Sequence, residues 1–215
     1  MTGNTPLSLV NLLWLLACAG CGDSGAMGHD HRGHDHAGQG ATRHEEPASP
    51  ADANARRLKV GEKVQDLVVT DLAGKSWNLS DLQKQSESGV VSLTFWCTFC
   101  HSCRMMEARL QKMADYFSAK AAVVGVDASA ADSADKVEDF TRNKKFTVPI
   151  FLDSDGGVAD LFGISLTTTT VVIDTSGVLR YRGQFDGSGI AYAQNALNAV
   201  LEGKEVAVKE TTPAG

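Results

Sequence analysis

Three cysteines stand at strict three-residue intervals in "FWCTFCHSC", at Cys97, Cys100 and Cys103, so that two C-x-x-C motifs share Cys100. Thiols so spaced suit two chemistries: a dithiol that exchanges with disulfides, or a thiolate site for a metal. The metal reading runs short of ligands. A bacterial-type iron–sulfur run is C-x2-C-x2-C-x3-C-P. Here Glu107 and Ala108 stand where the fourth cysteine and the proline belong. A closed zinc site takes four N or S ligands, usually from two separated pairs, and the chain has neither Cys nor His after Cys103. Only His101 could complete the set, and four ligands this close in sequence would crowd one strand-to-helix junction.

The redox reading needs elements that place the thiols, and the flanking sequence supplies them. "GVVSLTFWC" reads as a buried strand. The helix after it is predicted to run to about Ala119, with Cys103, Met106, Leu110, Met113 and Phe117 recurring on one face. Cys100 then sits at the helix start, where free N–H groups and the dipole favour a thiolate. Cys103 lies one turn on, at a Cα separation of about 5 Å that suits a disulfide, and on the apolar face. Cys97 ends the strand, three extended residues from Cys100, and a bridge between them would need a turn. The methionines on this face read as core filler.

Upstream, "VQDLVVTDLAGKSWNLSDL" alternates around Ala73-Gly74, the pattern of a β-hairpin, with Ser80 as the cap of a short helix. Downstream of the cysteine helix the alternation of elements continues. "AAVVGVD" reads as a strand and Ala131 to Lys145 as a helix. "VPIFLD", the short helix "GVADLFGI", "TTTTVVID" and "VLRYRGQFD" follow, the last two joined at Thr175-Ser176-Gly177. A helix from Ile190 to Leu201 closes at Gly203. Strand, helix and strand, then two hairpin strands and a helix, predict an α/β sandwich around a mixed sheet. No internal repeat is present.

The ends have a different character. The stretch from Leu7 to Ala19 is apolar, too short to span a bilayer comfortably and right for a signal segment. Met1 to Pro6 carries no Lys or Arg, so an uncleaved anchor is the alternative; both place the rest of the chain outside the cytoplasm, where disulfides persist. From Gly22 to about Ala55 large apolar residues are almost absent, which predicts a disordered tether. It holds His29, His31, His34 and His36, with His44 beyond. Imidazoles this dense bind Cu or Zn loosely, or serve as a polar spacer. A net charge of −6 gives no electrostatic reason to expect nucleic acid as a partner. The five cysteines lie in two groups, so no disulfide framework staples the fold. The expected organisation is a signal segment over 1–21, a His-rich tether over 22–57, one domain over 58–203 and a tail over 204–215.

"FWCTFCHSCR" resembles the "FWATWCxPCR" signature of the thioredoxin-like redoxins, the extracytoplasmic TlpA/ResA type and the broader AhpC/TSA group. "GEKVQDLVVTDLAGKSWNLSDL", "PIFLDSDGGVADLFGI" and "TTTTVVIDTSGVLRYRGQFD" extend the resemblance from about Val60 to Leu201. "LLAC", ending at Cys18, resembles a lipoprotein lipobox, with Cys21 as the weaker acylation candidate. The resemblance implies a thioredoxin-like sandwich with an N-terminal β-hairpin extension and a working pair Cys100–Cys103. It puts Cys97 where the family usually has Ala, and Thr168 where it has a cis-proline. With Thr there the proline preference for a cis bond is gone, so the loop is expected to be trans. Between the cysteines stand His101 and Ser102; a protonated His101 would favour the Cys100 thiolate. Glu107 falls one residue after the place of a family glutamate and is a candidate proton acceptor for Cys103.

The function expected is an extracytoplasmic, membrane-tethered thiol–disulfide oxidoreductase acting on protein thiols and disulfides, with no required cofactor. Two rivals are weighed. A copper-handling role like that of Sco-type relatives wants C-x3-C and a late His, both missing. A peroxiredoxin wants Pro before Thr94 and Cys97, where Val90 stands.

Overall fold

The computed structural model describes residues 57–65 and 67–212. Cys18, Cys21 and the histidines from His29 to His44 lie outside the described residues. Among those described, no helix is long and apolar enough to cross a membrane.

The alternating stretch at the domain's start forms the expected hairpin, β1 (Val68–Asp71) against β2 (Ser76–Asn78), with Val69 opposite Trp77. Its turn needs a positive φ, which Gly74 provides at +84°. The Asp71 carboxylate closes it by accepting the Ala73 and Lys75 N–H groups and the Trp77 indole. Helix α1 (Leu79–Gln83) follows directly, and its cap corrects the reading of Ser80. Asn78, still extended, accepts the Asp81 N–H at 3.1 Å while Asp81 returns a bond to the Asn78 N–H. Ser80 is already inside the first turn and donates to the Asn78 side chain.

Then come β3 (Val90–Trp96), α2 (His101–Phe117), β4 (Ala121–Asp127), α3 (Ala134–Lys144), β5 (Ile150–Leu152), α4 (Gly157–Phe162), β6 (Thr169–Ile173), β7 (Leu179–Gln184) and α5 (Tyr192–Leu201). Two helices start later than expected. Ser133 caps α3 on the Lys136 N–H, and the Gly187–Ile190 turn delays α5.

The strands form one seven-stranded mixed sheet in the order β2-β1-β5-β4-β3-β6-β7. Strands β3, β4 and β5 run parallel; every other pairing is antiparallel. The alternation of side chains divides the core between the two faces of the sheet. Val90 and Trp96 of β3 pack with Met106, Leu110, Met113 and Phe117 of α2 and with Ala196 and Leu197 of α5. Val91, Leu93 and Phe95 face the other way, onto Leu82 of α1 and Val158 and Phe162 of α4. The predicted α2 stripe is the buried one. Burial of each large side chain in it contributes roughly 1.5–3 kcal/mol, an upper figure, so the helix start is held firmly against the sheet.

The residues after Gly203, expected as a tail, pack back onto β7. Val206 is buried, Glu210 pairs with the buried Arg182, and the Thr211 hydroxyl accepts the Gln184 N–H. Arg182 also reaches the carbonyls of Leu58 and Phe162, tying both ends of the domain to one guanidinium.

Candidate active site

Open α/β sheets place chemistry beyond the carboxyl ends of their parallel strands. Here that is the junction of β3 and α2, where all three cysteines lie as free thiols. Cys100 is the N-cap of α2 in extended geometry, and its sulfur accepts the Cys103 N–H at 3.1 Å. The Thr167 hydroxyl lies 3.0 Å from the same sulfur. Burial alone would raise the Cys100 pKa. Hydrogen bonds from the Cys103 thiol, the Thr167 hydroxyl and the N–H groups of Cys103 and Ser102 outweigh it, and the pKa falls below the usual thiol value. Helix-start placement acts here through identifiable donors.

Cys103 is the complement. It is fully buried among the α2 core residues, and burial, with the proton it gives Cys100, pushes its thiol up to about 12. The two sulfurs are therefore driven apart, Cys100 toward the thiolate and Cys103 toward the thiol.

Cys97 is also buried, and burial pushes it up to about 11; the Cys100 N–H opposes this, while negative charge on Cys100 and Asp127 adds to it. The stretch from Cys97 to Cys100 is not extended as expected. Thr98 and Phe99 form a turn, because Asp132 accepts both the Thr98 N–H at 2.8 Å and its hydroxyl at 2.7 Å. Arg104 of α2 adds a bond to the Thr98 carbonyl.

Three other expectations fare differently. His101 and Ser102 are exposed at the helix start. Glu107, foreseen as a proton acceptor for Cys103, takes the Trp96 indole N–H on one carboxylate oxygen at 3.3 Å. Thr168 has φ of +66°, outside the range a proline ring allows. Its N–H bonds the Phe95 carbonyl at 2.7 Å, a bond proline could not make, and its carbonyl accepts the Phe185 N–H. For a β-branched residue that conformation is strained by roughly 1–2 kcal/mol.

Two observations within the described residues bear on the rival chemistries. Thr94, the peroxiredoxin threonine, shares its hydroxyl with Thr170 inside the sheet. Among the described residues no group of three His, Cys, Asp or Glu is arranged to hold a metal ion. Sequence reasoning missed Thr167, Asp127 and Asp132. The first stands beside the proline position in a run of threonines, and Asp127 ends an otherwise apolar strand, which was the available signal.

A cavity of about 350 Å³ opens beside Cys97, lined also by Trp96, Phe99, Ser165, Leu166 and Thr167 among others. Phe99 and Leu166 are 55% and 40% exposed, so its rim is apolar.

Known proteins resemble the chain in sequence and in fold. The chain is 29% identical over 124 residues to the thioredoxin-like protein YneN of Bacillus subtilis, covering 57% of this chain and 70% of that one. It is 26% identical over 122 residues to the thiol-disulfide oxidoreductase ResA of Bacillus thuringiensis subsp. konkukian, covering 56% and 67%. The crystal structure of the exposed lipoprotein thioredoxin Etrx1 of Streptococcus pneumoniae superposes with a TM-score of 0.51 at 19% identity, over 65% of this chain and 99% of that one. The fold is thioredoxin-like. Residues 60–182, which include the dithiol junction and the strands around it, match the model of the AhpC/TSA family, and the chain belongs to that family.

Proposed function

We propose that this protein is a thiol–disulfide oxidoreductase whose working pair is Cys100 and Cys103, and that protein thiols and disulfides outside the cytoplasm are its partners. One observation carries the reading: Cys100 caps the start of α2, its sulfur accepting the Cys103 N–H at 3.1 Å with the Thr167 hydroxyl 3.0 Å away, and Cys103 lies fully buried one turn on. In the reducing direction the Cys100 thiolate attacks one sulfur of a substrate disulfide. A mixed disulfide forms and the other substrate sulfur leaves as thiolate. Cys103 then gives up its proton and attacks the Cys100 sulfur, releasing the second substrate thiolate. Two electrons have passed to the substrate, and a Cys100–Cys103 disulfide remains. The reverse sequence oxidises a dithiol. The ResA and YneN names support the chemistry, and the apolar rim at Phe99 and Leu166 suits a polypeptide partner.

The leader from Leu7 to Ala19 supports export, with acylation at Cys18 as the tether and the His29–His36 cluster as a loose Cu or Zn site dispensable for turnover. Redox titration of the full chain against glutathione, followed by peptide mapping, tests the pair. A single two-electron transition with a 100–103 bridge is expected, and a bridge that includes Cys97 would overturn the assignment. Intact-mass analysis of membrane-extracted protein tests the anchor through a diacylglyceryl adduct on a chain starting at Cys18.

A further inference from the structure

Beneath the dithiol turn lies a pair of acids that thiol exchange does not itself use. Asp127 is 1% exposed and Asp132 5%. Asp127 ends β4 in register with Trp96, so its carboxyl lies against the start of the Cys97–Cys100 turn. Asp132 holds that turn through the N–H and hydroxyl of Thr98. One oxygen of Asp127 accepts the Ser129 N–H at 2.9 Å. The other, Oδ2, is buried and finds no donor. Its carboxyl is instead within hydrogen-bonding reach of the Asp132 carboxyl.

Two carboxylates cannot satisfy one another, because both only accept. With one proton between them they can: Asp127 as the acid donates to Asp132, and the orphaned oxygen becomes a donor. The surroundings fit a pair carrying one net charge. Lys136 of α3 forms an ion pair with Asp132, Arg104 of α2 engages the turn at the Thr98 carbonyl, and the protonated Cys97 faces Asp127 from the end of β3.

We propose that Asp127 and Asp132 are positioning residues that share one proton and hold the Cys97–Cys100 turn, so that Cys100 reactivity follows the protonation of the pair as well as its own. The proposal rests on the thiol chemistry argued above. When the shared proton leaves for solvent, two buried carboxylates face one ammonium. Asp132, already paired with Lys136, relieves the repulsion by moving away from Asp127, which loosens its bonds to the Thr98 N–H and hydroxyl that fix the turn. The turn ends at the N-cap, so the alignment of the Cys103 N–H on the Cys100 sulfur loosens with it. Burial and the neighbouring Asp132 push Asp127 up to about 7, which puts the transition at neutral pH.

The test uses the reduced full-length chain. Carbon-13 NMR of the aspartate carboxyls is recorded from acid to alkaline pH, with the Thr98 amide followed alongside. The rate of Cys100 alkylation by iodoacetamide, divided by its thiolate fraction, is measured over the same range. One carboxyl carbon is expected to titrate near neutrality and the Thr98 amide to shift with the same midpoint. The normalised rate should rise about threefold above it, because a thiolate that loses one strong hydrogen bond is the more nucleophilic. Asp127→Asn, whose amide still donates to Asp132, should abolish the neutral transition and hold the parent's acid-side rate. Asp132→Asn should hold the raised rate throughout. Completion of every aspartate titration by about pH 5 would overturn the proposal, and this reading of the parent chain needs no variant to fold. So would an Asp127→Asn rate profile that follows the parent. A chain that shows the neutral transition yet passes no electrons to disulfides would overturn the oxidoreductase reading and leave the pair standing.

Discussion

Replacing Thr167 by valine removes one hydroxyl and leaves the volume of the side chain almost unchanged. That hydroxyl lies 3.0 Å from the Cys100 sulfur and is among the groups that lower its pKa. A hydrogen bond to a charged group is worth about 1.5–3 kcal/mol. The low end applies here because Cys100 is partly open to solvent, which weakens the interaction. A loss of ~1.5 kcal/mol reduces the thiolate population about tenfold at any pH below the thiol's pKa, since 1.36 kcal/mol is a factor of ten. Each remaining thiolate is more nucleophilic, with a Brønsted coefficient of about 0.4–0.5, so the net loss of exchange rate is about three- to fourfold. Ultraviolet thiolate absorbance against pH, with the rate of disulfide exchange in mildly acidic buffer, measures both quantities. Cys97 and Cys103, at about 11 and 12, stay protonated there, so once Cys18 and Cys21 are replaced by serine the signal belongs to Cys100. Thr167→Ser keeps the hydroxyl and should follow the parent. A valine variant whose absorbance curve overlays the parent would refute the claim that this contact stabilises the thiolate.

Cys103→Ser should accumulate mixed disulfides at Cys100, visible by mass after acid quench, whereas Cys97→Ala should keep turnover within a few-fold; a Cys97 variant as inactive as Cys100→Ser would make it the attacking or relaying thiol. Asp127 has its carboxyl raised from 3.8 to about 7 by folding, so the neutral form is the one the fold favours. The stability it contributes is fully present below about pH 4 and is lost as pH rises through 7, by at most about 4 kcal/mol. Asp127→Asn should therefore match the parent in urea unfolding at pH 4 and exceed it at pH 8, and an equal gap at both pH values counts against the assignment. Thr168→Gly should raise stability by about 1 kcal/mol by relieving its φ of +66°. Thr168→Pro, which restores the family residue, should lower it by about 3 kcal/mol, because the ring cannot adopt that φ and the bond to Phe95 is lost; thermal unfolding of the two variants in the same direction would refute this.

Much of the fold was legible because its signals are local and periodic. The α2 stripe from Cys103 to Phe117, the turn at Gly74 and the continuous apolar run of β4 each declare an element from a few residues. The helix-start position of Cys100 and the burial of Cys103 follow from the same periodicity.

What the linear pattern could not supply were contacts between residues distant in sequence. Thr167 reaches Cys100 across 67 positions, and Asp132 reaches Thr98 across 34. Hydroxyls and carboxyls carry no periodicity of their own, so their partners are set by which strand ends and loops the sheet order brings together. For the same reason Glu107 could be placed near the right helix face, while only packing decided that the Trp96 indole would claim it. The sequence determined a cysteine at a helix start with a second, buried cysteine one turn on. The tertiary structure decided which groups hold its charge and its turn, because hydrogen bonds and buried charges depend on distances in space that spacing along the chain does not fix.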